Sequence, residues 1–183
     1  MFEIIKGSKT SSYFLIAPVK VIDVTKDPDS DDNVEGIEGC EISIEEDDVE
    51  MFLYHFLKKH FDETLPENQA RKDVYGFEWY LTYNFYTFEN IENMILDIKQ
   101  KIKLLINDYD SPVLDKLKEN YDYLLSSIRY ARKDNLTEME KQYIIKENIH
   151  EIIEFYYRVI FYLEDMMEAG KKNGYNLISF MGP

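Results

Sequence analysis

The sequence predicts an α+β fold: a small, mostly antiparallel sheet packed against a layer of antiparallel helices, with residues 137–169 as the central helix. Three observations carry this. Strand-like and helix-like stretches are segregated along the chain, whereas a doubly wound parallel sheet would need regular alternation. Only short breaks separate the last three helical stretches, so these helices run antiparallel to their neighbours. Ile145, Ile149, Ile152, Tyr156, Val159, Leu163 and Met166 recur at steps of three and four, the spacing of one face of a long helix. Ile153, Ile160 and Met167 widen that face, and Phe155, Phe161 and Tyr162 carry apolar surface nearly all round. A helix of this kind is expected to be covered on most sides. The chain has 183 residues, 45% of them hydrophobic, which suits one domain with an ample core.

Residues 1–45 hold the N-terminal strands and an acidic loop. Stretches 2–6 and 13–24 read as strands joined by the turn-forming residues 7–12. Pro18 has no N–H for a ladder, so it marks an edge or a bulge in the second strand. Residues 23–39 are acidic and nearly devoid of apolar side chains, as in an exposed loop. Residues 40–44 form a short third strand that buries Cys40. A helix over 46–61 follows, with acidic residues at the positive end of its dipole and Val49, Phe52, Leu53, Phe56 and Leu57 on its buried face. Residues 62–73 are polar and connect.

Over 74–86, Phe77, Trp79, Leu81, Tyr83 and Phe85 alternate with Glu78, Tyr80, Thr82, Asn84 and Tyr86. This alternation predicts a strand with its odd positions inward. The three-helix layer spans 88–169. Thr87 is the N-cap of its first helix, whose face is Ile91, Met94, Ile95, Ile98, Ile102, Leu105 and Ile106. The second helix covers 112–128, with Pro112 in its first turn and Leu117, Tyr121, Leu124 and Ile128 on its face. Thr137 and Glu140 open the third as a capping box, and Gly170 with Lys171 and Lys172 stops it. Residues 175–181 return as a strand.

Net charge is −15 and the pI is near 4.6. A basic stripe for phosphates or for an anionic membrane surface is therefore missing, which argues against a nucleic-acid or lipid partner. One cysteine permits no internal disulfide, no leader sequence is apparent, and no apolar run is long enough for a membrane span. A cytoplasmic location is expected.

Between Asp23 and Glu50 stand thirteen acidic residues and one base, Lys26, so −12 of the net −15 lies there. Such a concentration points to a basic protein partner, drawn in by long-range attraction and bound through Asp29, Asp31, Asp32, Glu35, Glu38, Glu45, Glu46, Asp47 and Asp48. An immunity or inhibitor protein that neutralises a bacterial toxin nuclease has this profile. The alternative is a regulatory or structural module whose 27–38 loop binds calcium. Asp27, Asp29, Asp31 and Glu38 fall at positions 1, 3, 5 and 12 of an EF-hand-like loop, although Asp32 replaces the turn glycine and Pro28 stands second. An enzyme is a third reading. Glu147 and His150 make a single Glu-x-x-His step, and His55 and His60 are five apart, off one helical face. Cys40 sits between Glu38 and Glu41, which oppose a thiolate. No phosphate loop or nucleophile elbow is present, and no catalytic residue, metal or cofactor is expected.

Overall fold

The computed structural model describes residues 2, 4–9, 12–28, 32–71, 76–78, 82–107 and 138–183. Its strands are β1 Ile4–Lys6, β2 Tyr13–Val21, β3 Val34–Gly36, β4 Ile42–Glu45, β5 Tyr83–Thr87 and β6 Leu177–Met181. Its helices are α1 Glu46–Phe52, α2 Tyr54–His60, α3 Pro66–Gln69, α4 Phe88–Asn107 and α5 Glu138–Asn173. The fold is α+β, as expected. Six strands form one antiparallel sheet in the order β1-β4-β2-β6-β5, with β3 paired to β2. The expected helix over 112–128, the residue Thr137, and Trp79, Tyr80 and Leu81 lie outside the described residues.

β2 organises the sheet. One of its flanks pairs with β6 from Leu15 to Val19. The other carries β4 opposite Tyr13 to Ile16 and β3 opposite Val19 to Val21. Pro18 falls between these two partners, where its carbonyl accepts from the Ile37 N–H at 3.4 Å. A residue's N–H and C=O leave a strand on the same side, so the missing N–H points into this gap and costs no ladder bond. Cys40 lies in the turn before β4 and is half-buried, so the third expected strand begins later than its composition implied.

The sheet is covered on both faces. Phe14, Ile16, Ile44, Tyr86, Ile178 and Phe180 meet the helices in the larger core, together with Phe52, Ile98 and Tyr156. Ala17, Val19, Val21, Phe85 and Leu177 form a smaller cluster on the other face. This reverses the sides expected for the 74–86 strand: even-numbered Tyr86 faces the large core and odd-numbered Phe85 the small one. Within that stretch the described strand is Tyr83–Thr87, and Phe77 and Glu78 are not part of it.

The helix expected over 46–61 breaks at Leu53 into α1 and α2. The Tyr156 hydroxyl donates to the Phe52 carbonyl at 3.2 Å, and the Tyr86 hydroxyl to the Leu57 carbonyl at 3.0 Å. Both oxygens belong to helix ends, where carbonyls have no partner along the helix, so two buried phenols satisfy them. Thr87 caps α4 reciprocally with Asn90: the Asn90 N–H donates to Thr87 Oγ1, and the Thr87 N–H to Asn90 Oδ1, each at 3.1 Å.

α5 runs past its expected stop to Asn173. Gly170 lies inside the helix, pressed on Phe88: a methyl group there would sit 2.6 Å from the ring. The stop is Gly174 instead, at φ +74°, with the Tyr175 N–H donating to the Gly170 carbonyl at 2.9 Å. Glu92 pairs with Lys171 and Lys99 with Glu164, so α4 and α5 run antiparallel.

Both outer strands are closed by side chains. Phe85 exchanges two hydrogen bonds with the Asn68 amide, each 2.9 Å, as a neighbouring strand would. Arg71, buried beside it, donates to Tyr83 O and Asn84 Oδ1. On the far side Arg158 reaches from α5 to donate to Phe2 O at 3.0 Å and Ile4 O at 3.3 Å. Each device removes free backbone from an edge open to pairing with another chain. Among the described residues no helix is long and apolar enough to cross a membrane.

Candidate functional site

β4 passes into α1 with no intervening loop, and this junction concentrates charge. Glu45, Glu46, Asp47, Asp48 and Glu50 occupy five of six consecutive positions. Glu45 is exposed at the end of β4, opposite Tyr13 in the ladder. The Glu46 N–H is held by the Ser12 carbonyl at 2.8 Å, which fixes the start of the helix. Glu46 and Asp47 are half-exposed in the first turn. Asp48 turns inward beside Val49 and is only 3% exposed.

Electrostatic crowding follows. Burial pushes the Asp48 carboxyl up to about 7, and the charges of Glu45 and Asp47 add to the rise. Glu50 is also raised, by burial and then by Glu46 and Asp47. Among the described residues no lysine or arginine forms an ion pair with Glu45, Glu46, Asp47 or Asp48. Acids on the helical layer have such partners: Asp97 meets Lys59 at 2.5 Å and His60 at 2.7 Å, and Glu168 meets Lys172 at 2.6 Å. The hydrogen bond from Lys59, with a further one from His60, holds the Asp97 carboxyl below its usual value.

The remaining expected site residues sit elsewhere. Glu35 lies on β3 opposite Lys20, while Glu45 is opposite Tyr13, seven residues back along β2. That separation is roughly 23 Å. Asp32 and Glu38 are exposed near the Glu35 end. Asp29 and Asp31 lie outside the described residues. The described carboxylates therefore fall into two groups, one at the β4–α1 junction and one around β3.

The 23–36 segment is ordered around a residue that composition did not single out. Asn33 is buried, and its amide nitrogen donates to the carbonyls of Asp23, Lys26 and Asp27 at 3.1, 3.1 and 3.3 Å. Its side-chain oxygen accepts from the Asp23 N–H at 3.0 Å, and its carbonyl from the Ile22 N–H at 2.9 Å. That carbonyl is the ligand which position 7 of a calcium loop would supply. Among the described residues no three His, Cys, Asp or Glu side chains converge on a common point for a metal. His150 is exposed on α5, and the Glu147 side chain lies outside those described. An asparagine within an acidic, turn-rich stretch is the only sequence signal for this plug.

Comparison with protein families, with curated proteins and with solved structures finds no match to this chain.

Proposed function

We propose that this protein binds a basic protein partner through the carboxylates of the β4–α1 junction, as an immunity or inhibitor protein that neutralises a cationic toxin would. One observation carries the reading: Glu45, Glu46, Asp47 and Asp48 stand in consecutive positions at one fixed junction with no pairing lysine or arginine among the described residues, where burial, and after it the charges of Glu45 and Asp47, pushes Asp48 up to about 7. A surface that stores repulsion gains from a cation supplied from outside. The junction is fixed by the β4 ladder and by the Ser12 bond to α1, so its charges are held in place before any encounter. The β3 group adds a second negative field that attracts the same partner from a distance without sharing the contact.

The test compares affinity isolation by wild type and by the variant Glu45→Lys/Glu46→Lys/Asp47→Lys, at low salt and at about 1 M salt, where screening shortens to roughly 3 Å. The expected result is a basic protein retained by wild type at low salt, released by salt and missed by the variant. Retention by the variant, or no basic protein in the wild-type fraction, contradicts the reading.

A further inference from the structure

The sheet leaves a short edge without a side-chain guard among the described residues. Arg158 holds the carbonyls of Phe2 and Ile4 beside β1, and Asn68 bonds Phe85 beside β5. β3 pairs with β2 on one side; on its other side no described strand or side chain bonds its backbone. The register shows which groups are open. The Ile22 N–H donates to the Asn33 carbonyl at 2.9 Å and the Ile37 N–H to the Pro18 carbonyl at 3.4 Å, so residues 33 and 37 turn these groups toward β2. The direction alternates along an antiparallel strand, so Glu35 also turns toward β2, while Val34 and Gly36 point their N–H and C=O groups outward.

Side chains decide what can add there. A further antiparallel strand would make a non-hydrogen-bonded pair opposite Glu35, where cross-strand side chains come closest, so a lysine or arginine in that place meets the carboxylate. Glu35 is exposed, and no ion pair to it is found among the described residues. Asp32 and Glu38, also exposed, flank the strand with the same sign. Val34 and Gly36 stand opposite Val21 and Val19 of the smaller core cluster, so apolar residues beside them extend that cluster outward. A second copy of β3 is a poor occupant, because two-fold pairing sets Glu35 against Glu35.

We infer that the open edge of β3 takes an extended basic segment of another protein by strand addition, with apolar residues opposite Val34 and Gly36 and a lysine or arginine opposite Glu35. In such pairing the backbone bonds supply affinity and alternate side chains select the partner. This edge and Glu45 are separated by roughly 23 Å along β2. The contact is therefore independent of the acidic junction, and either proposal can fail alone.

Fluorescence anisotropy of the full chain with a labelled short peptide alternating valine and lysine tests it, at about 0.15 M salt, where screening acts over roughly 8 Å. Wild type is expected to bind this peptide. Gly36→Pro removes an outward N–H that the β2 ladder does not use and is expected to weaken binding about tenfold. Gly36→Ala keeps the N–H, and its added methyl group meets only the Pro18 carbonyl oxygen at 4.0 Å, so it is expected to bind as wild type does. Glu35→Lys is expected to shift preference toward a peptide alternating valine and glutamate, which a folding defect would not do. The junction variant Glu45→Lys/Glu46→Lys/Asp47→Lys is expected to bind the lysine peptide as wild type does. No binding by wild type, full binding by Gly36→Pro, an unchanged preference in Glu35→Lys, or loss of binding in the junction variant overturns the proposal.

Discussion

Asp48 links the stability of the fold to pH through one side chain. Its carboxyl is raised from an ordinary 3.8 to about 7 by burial and by Glu45 and Asp47, so the folded state holds a proton that the unfolded state releases. Stability contributed by this proton is complete below about 4 and is lost as pH rises through about 7. At pH 8 the loss is about 4 kcal/mol. Asp48→Asn keeps the shape and removes the ionisation. Thermal melts across pH should show the variant and wild type together below about pH 4, the variant progressively more stable as pH rises from about 4 to about 7, and a constant gap above that. Equal melting temperatures at pH 8 would mean that Asp48 is not held in the environment described.

At the level of elements, periodicity located the helices well and their ends poorly. The face of α4 from Ile91 to Leu105 is buried as its spacing predicts, whereas Ile106, one step further along the same pattern, is half in solvent. Gly170 reads as a stop because glycine so often follows a helix, yet here its missing side chain makes room for Phe88. Gly170→Ala gains about 1 kcal/mol in helix propensity and must displace that ring, which costs about 1–3 kcal/mol. Urea denaturation is expected to show a net loss of about 1 kcal/mol; a more stable variant would mean that the ring moves freely. The break at Leu53 has no glycine or proline to announce it, because it is enforced by Tyr156 reaching Phe52 from 104 residues away. The alternation over 77–85 names a strand but not its sides, since both faces of β5 are covered and Phe85 and Tyr86 are equally buried.

For the whole molecule, composition revealed that the negative charge is local but not how it is arranged. The run from Asp23 to Glu50 reads as one stretch, and β3 and β4 pairing at opposite ends of β2 draws it into two groups. Strand pairing of this kind is non-local and leaves no periodic trace in the chain, which is also why the composition does not place the C-terminal strand β6 between β2 and β5. The helical layer pairs acids with Lys59, Lys99, Lys171 and Lys172, while Glu45, Glu46, Asp47 and Asp48 at the β4–α1 junction have no such ion pair among the described residues. In the proposed function that imbalance is relieved by a cation from outside. The most direct measurement is the dissociation constant of the basic partner as a function of pH. A lysine- and arginine-rich surface favours the ionised Asp48, so binding should tighten as pH rises through about 7 and a proton should leave on association. An affinity indifferent to pH across that interval, with no proton released, would contradict it.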